Sequence, residues 1–178
     1  MPKNKKNTFP LAVLVVAALL ASLSIVLGKY LAIRVGDTLR FSFENLPILL
    51  AGMAFGPLTG MVVAVVADLI GCLLVGYPVN PLITVGGAVI GLLGGVLYRW
   101  LTKTPFLLRV SATVLVAHVV GSVLIKTVGL SAFYSYPLWE LMLWRLLNYA
   151  VVGVAETALL YAVLKNRAIQ NQIHKMWR

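Results

Sequence analysis

Residues 46–75 read LPILLAGMAF, then GP, then LTGMVVAVVADLIGCLLV. The first piece, 46–55, is apolar but short. At 1.5 Å per helical residue it covers only about 15 Å, half the hydrocarbon core of a bilayer. Gly56-Pro57 interrupts the run, because proline cannot continue a helix from within and glycine tolerates the turn. The second piece, 58–75, approaches the roughly 20 apolar residues that a span requires. These pieces predict helices 2 and 3, as a tilted pair or as a partly re-entrant hairpin. Either arrangement returns the chain to the side it left.

Working outward, apolar stretches at 9–33, 82–101, 106–128 and 138–164 predict the remaining helices. A Gly/Pro-rich turn lies at 76–81, an uncharged aromatic loop at 129–137, and a basic polar tail after 164. The expected fold is all-α: one integral membrane bundle of six transmembrane helices over residues 1–178. Composition agrees, since 61% of the 178 residues are hydrophobic against about 45–50% in soluble domains. The first run follows a basic start as a signal peptide would. It is too long for a signal core and ends without a small-residue cleavage site, so it is expected to stay as helix 1.

The formal charge of +10 follows topology. With the N-terminus inside, Lys3, Lys5, Lys6, Arg99, Lys103, Arg109, Lys165, Arg167, Lys175 and Arg178 fall on the cytoplasmic side. The outer segments hold Arg34 and Arg40, partly offset by Asp37 and Glu44. Lysine and arginine mark the inner ends of spans, so both termini are expected in the cytoplasm and no nucleic acid is implied. There is no Gly-rich phosphate loop. Two histidines and one cysteine cannot build a zinc site, so no metal, cofactor or enzymatic activity is expected. Cys72 has no cysteine partner and reads as an apolar filler.

Seven polar residues, Lys29, Asp68, His118, Lys126, Arg145, Asn148 and Glu156, interrupt the apolar runs. A charge at the bilayer centre is disfavoured by about 2.5–3.5 kcal/mol on insertion scales, so such groups face the interior, pair, or meet a ligand. The topology puts Lys29, Lys126, Arg145, Asn148, Tyr77, Asn80 and Trp144 in the outer third, together with Arg40, Phe41 and Phe43 of loop 1. Trp144, Arg145 and Asn148, spaced three and four apart, share a helix sector. Rings to stack a flat molecule, amides to read its edge and cations to hold carboxylates fit a partly anionic aromatic ligand taken from outside. Snorkelling explains Lys29 and Lys126 equally well, Trp144 also suits a membrane interface, and Glu140 is a possible ion-pair partner for Lys126 or Arg145. Asp68, His118 and Glu156 read as interhelical hydrogen-bonding groups. Glycines four apart (56 and 60; 87, 91 and 95) suggest close helix packing inside the bundle, and Ala17 and Ala21 an internal or external contact of helix 1.

The run from Leu39 through Gly60 to Asp68 resembles the loop 1 to helix 3 segment of S components of energy-coupling factor (ECF) transporters, small six-helix bacterial proteins that capture vitamins. Phe55-Gly-Pro-Leu-Thr-Gly60 with Asp68 is most similar to the folate-type members, and pantothenate-type members share much of it. The resemblance covers nearly the whole chain. It implies uptake of folate from outside the bacterial cytoplasmic membrane, with a transmembrane coupling subunit and two ATPase subunits that hydrolyse ATP. It also implies that Ala17 and Ala21 form the face that docks on the coupling subunit, and that loop 1 is a lid. With folate as the ligand, Phe41, Phe43 and Trp144 are expected to flank the pterin, Asn80 and Asn148 to read its edge, and Arg145, Lys126 or Arg40 to hold the glutamate carboxylates; Tyr77, Asn80, Lys126, Arg145 and Asn148 are placed in the pocket by depth and chemistry, not by a family motif. Competing readings are an S component for another vitamin such as pantothenate, an ion-coupled carrier using Asp68, His118 and Glu156, a small membrane enzyme with His118 as base, and a structural membrane subunit.

Overall fold

The structure is a computed structural model that describes residues 10–35 and 39–176, without the side chains of 34, 35, 39, 40 and 174. Lys3, Lys5, Lys6, Asp37, Arg178 and the expected helix start at 9 lie outside the described residues, as do the side chains of Arg34 and Arg40. Helix α1 (Leu11–Ile25) continues as a π-helical turn (Val26–Tyr30). Loop 1 then forms an antiparallel hairpin of β1 (Ile33–Val35) and β2 (Leu39–Phe41), with Ile33 opposite Phe41. Helices α2 (Asn45–Phe55), α3 (Pro57–Val75) and α4 (Pro81–Trp100) follow.

One rod from Phe106 to Tyr134 comes next. It is built from α5 (Phe106–Ala117), a π-helical segment (His118–Ile125) and α6 (Lys126–Tyr134). Helix thus extends through 129–134, where the aromatic composition suggests a loop; the break comes at Ser135, in the left-handed conformation. Helix α7 (Leu138–Lys165) and a short α8 (Arg167–Met176), which the polar tail does not announce, complete the chain.

Five helices of 19 to 29 residues are long and apolar enough to cross a membrane. Helix α2, at 11 residues, reaches about 16 Å. Gly56 joins it to α3 at φ +107°, a conformation that strains any residue with a side chain. The Arg99 guanidinium fills the space where its Cβ would lie.

Helices α2, α3 and α4 meet glycine to glycine. A Cβ on Gly91 would stand 2.2 Å from the Gly60 backbone, and one on Gly52 would stand 2.5 Å from the Gly91 carbonyl oxygen. Without side chains between them the backbones gain contact that aliphatic packing in lipid cannot offer. Outward-facing apolar residues such as Leu11 (76% exposed) and Leu73 (75%) are what a lipid-facing surface requires. Trp100 and Trp139, 80% and 71% exposed, stand at opposite ends of the bundle, where indoles favour the membrane interface. Arg99, Lys103, Arg109, Lys165 and Arg167 gather at the end opposite the hairpin.

Candidate functional site

Lys126 begins α6, about 30 Å along the rod from Phe106. It is only 6% exposed. A buried ammonium requires acceptors, and Lys126 Nζ finds Glu44 Oε1 at 3.1 Å and Asn45 Oδ1 at 3.4 Å. Both acceptors belong to the start of α2, so the shortness of α2 is what brings them to this depth. Ser24 Oγ donates to the Glu44 carbonyl oxygen at 2.7 Å, and Glu44 N donates to Ser42 Oγ at 3.1 Å, tying the end of loop 1 to α1. The Asn45 side chain is fully buried, and its Nδ2 has no hydrogen-bond partner among the described residues.

Beside this pair is a cavity of about 30 Å³ lined by Gly28, Lys29, Glu44, Asp68, Gly87 and Lys126, among others. Asp68 accepts from Thr84 Oγ1 at 2.6 Å and neighbours Cys72, whose Sγ receives Lys29 Nζ at 3.5 Å. Cys72 therefore has polar neighbours as well as apolar ones. At that volume the cavity holds no drug-sized ligand, which requires roughly 300–1,000 Å³.

A second polar group spans the rod and α7. His118 Nε2 and Glu156 Oε2 share a hydrogen bond at 2.5 Å, and His118 Nδ1 lies 3.2 Å from Ser122 Oγ. Both residues are buried, His118 at 2% and Glu156 at 0% exposure. Tyr149 stacks on the imidazole with 4.7 Å between centroids. Arg145 Nε donates to the Ser122 carbonyl oxygen at 3.1 Å, and its Nη2 donates to Tyr149 Oη at 3.3 Å. Ser122 lies in the π-helical segment. The wider turn leaves its carbonyl to side-chain donors, Thr127 Oγ1 at 3.3 Å as well as Arg145. A cleft of about 420 Å³ opens between this segment and α7, walled by aliphatic residues with His118 and Tyr149 on its lining.

The structure thus brings Lys126 and Arg145 to the same stretch of the rod and buries Asn148 at 6% exposure on α7. Tyr77, 44% exposed, has Lys29 Nζ 5.8 Å above its ring. Phe41 is half-buried, Phe43 is 37% exposed and Trp144 is 46% exposed. The Arg40 backbone belongs to β2, and β2 approaches α7. Asn80 is also held by the fold. Its Oδ1 accepts from Leu82 N at 3.0 Å as the N-cap of α4, and its Nδ2 donates to Gly129 O at 2.8 Å, so both ends of the amide are engaged in the fold. Ala21 is buried at 5% and Ala17 half-buried, both packed toward the core, while Ala18 and Ser22 form the exposed small-residue stripe of α1. Glu140 is exposed, and the carboxylate on Lys126 is Glu44.

Sequence reasoning misses Asn45 and Ser122, and it places Glu44 in the outer loop and Tyr149 in the outer half of the last long helix without assigning either a partner. For Glu44 the only signal is an acid placed directly before an apolar run. For Ser122 there is none, because its contribution comes from a backbone carbonyl.

The chain matches the family described as ECF transporter, substrate-specific component, over residues 12–174. No curated protein matches it. Among solved structures it is similar to FolT bound with folic acid, with a TM-score of 0.70 at 23% identity over 86% of this chain and 91% of that one. It is also similar to the S-component for biotin from an ECF-type ABC transporter, with a TM-score of 0.64 at 17% identity over 90% of this chain and 95% of that one. At such identities the likeness establishes the fold. The family match extends over nearly the whole sequence, and the chain is a substrate-specific component of the ECF transporter family.

Proposed function

We propose that this protein binds folate, or a closely related carboxylated vitamin, at the outer face of a bacterial cytoplasmic membrane. It is a substrate-binding transport protein and not an enzyme. The observation that carries the folate reading is the fold shared with FolT bound with folic acid. The chemistry of the site supports it, since Lys126 and Arg145 supply cations for carboxylates. Phe41, Phe43 and Trp144, with Tyr77, offer ring faces, and Asn148 offers an amide to the ring edge. Arg40 is proposed as a further cation from the hairpin. Asn80 acts through the α4 and α6 contact it secures.

Both termini face the cytoplasm, in accord with the cations gathered at that end of the bundle. A coupling subunit docks on α1 around Ala17, and ATP is hydrolysed by its two partner ATPases. Biotin is the competing ligand, because the biotin component also matches.

Native mass spectrometry of the purified chain, followed by titration with folic acid and with biotin, tests the reading. Co-purified folate or tight folic acid binding is expected. Biotin bound in preference to folic acid transfers the assignment. Ion-driven uptake by the chain alone in vesicles would favour an ion-coupled carrier.

A further inference from the structure

We propose that Glu44 is an internal carboxylate that a ligand's carboxylate must replace on Lys126, which makes Glu44 a residue that holds down affinity for acids and leaves affinity for their esters unchanged. The inference rests on the carboxylated-vitamin reading above. It starts from charge. The small cavity is lined by Lys29 and Lys126 on one side of the ledger and by Glu44 and Asp68 on the other, so its formal charges cancel. A further anion brought to Lys126 would stand beside a carboxylate at hydrogen-bond distance from the same ammonium, and like charges at close range in a poorly solvated setting repel strongly. One carboxylate therefore has to leave.

The two candidates differ in how they are held. Asp68 sits within α3 and receives a 2.6 Å hydrogen bond from Thr84 of α4. Glu44 stands at the junction of loop 1 and α2. Its main chain is fixed by Ser24 and Ser42, but its side chain is 26% exposed, whereas that of Lys126 is 7% exposed. The Glu44 carboxylate can therefore swing to water about an anchored backbone while the ammonium stays. Asn45 Oδ1 at 3.4 Å continues to hold Lys126, and an ammonium has three donors, so the cation remains oriented for the incoming acid. The exchange replaces one charge-assisted hydrogen bond by another. Its net gain is therefore small for an acid, while an ester brings no charge to Lys126 and leaves the Glu44 pair in place.

The test compares the full-length wild type with Glu44→Gln, which keeps size and one hydrogen bond to Lys126 but removes the competing charge. Affinities are measured for folic acid, folic acid dimethyl ester, biotin and biotin methyl ester, with a melting curve as the check on folding. The variant is expected to bind the preferred acid about tenfold more tightly, the order of one charge-assisted hydrogen bond, and its ester within about twofold of wild type. If wild type binds an acid and the variant shows no gain, or loses acid and ester equally, the exchange is refuted while the vitamin reading stands. If neither protein binds either acid, the vitamin reading fails and the exchange falls with it.

Discussion

Replacing Gly91 with alanine tests the contact on which the position of the site depends. The new Cβ would stand 2.2 Å from both the carbonyl carbon and oxygen of Gly60, and 2.7 Å from Met61 N. Non-bonded heavy atoms settle at about 3.5–4.0 Å, so α3 and α4 must part by more than about 1 Å. The atoms in the way are main chain and cannot rotate aside. Overpacking of this kind costs about 1–3 kcal/mol, and the upper end applies here because no side chain can yield. At roughly 2–4 °C per kcal/mol for a chain of this size, the detergent-solubilised variant should melt about 5–10 °C below wild type. The same substitution one turn away is the control. A Cβ on Gly87 would meet Ala64 Cβ at 3.7 Å and Lys126 Cε at 3.9 Å, ordinary contacts, so Gly87→Ala should melt within about 2 °C of wild type. Equal melting of wild type and Gly91→Ala, or an equal fall for both variants, would refute the claim that backbone contact holds α3 to α4.

His118→Leu leaves the fully buried Glu156 without its 2.5 Å partner and should cost about 3–5 kcal/mol, whereas the double change to leucine at both positions should cost far less. Melting curves decide it, and a single variant as stable as the double would show that the pair is not a matched unit. Asn80→Ala removes the cap of α4 and the bond to Gly129, a loss of about 1–2 kcal/mol in stability with folic acid affinity kept within about twofold; lost affinity at unchanged melting would return Asn80 to the ligand. Arg145→Lys should weaken folic acid binding at least about tenfold in titration, because an ammonium cannot reproduce the planar fork that reaches Ser122 and Tyr149; unchanged affinity removes Arg145 from the site. Ala17→Trp should block uptake by the assembled transporter and spare ligand binding, while Ala21→Trp, at a buried position, should lower the melting temperature itself; loss of binding in Ala17→Trp would count against a docking role.

Sequence by itself determined the five long apolar helices of this bundle, because apolar runs of about 20 residues have no alternative in a bilayer, whereas α8 and the helical turns through 129–134 were not legible in it. It also determined the interruption at Gly56-Pro57, where backbone conformation is a local property, and the close packing through Gly60, Gly91 and Gly95, where the spacing of small residues is written in the chain. It marked Lys126, Arg145, His118 and Glu156 as residues requiring partners. Which partners they took was decided only by tertiary structure. Glu44 reaches Lys126 from 82 positions away, His118 meets Glu156 across 38, and Asn80 is drawn into the fold by a carbonyl 49 residues on. No periodicity encodes such pairings. They follow from how deep the short α2 starts, how the π-helical segment turns Ser122 toward α7, and how closely the glycine faces let α2, α3 and α4 approach.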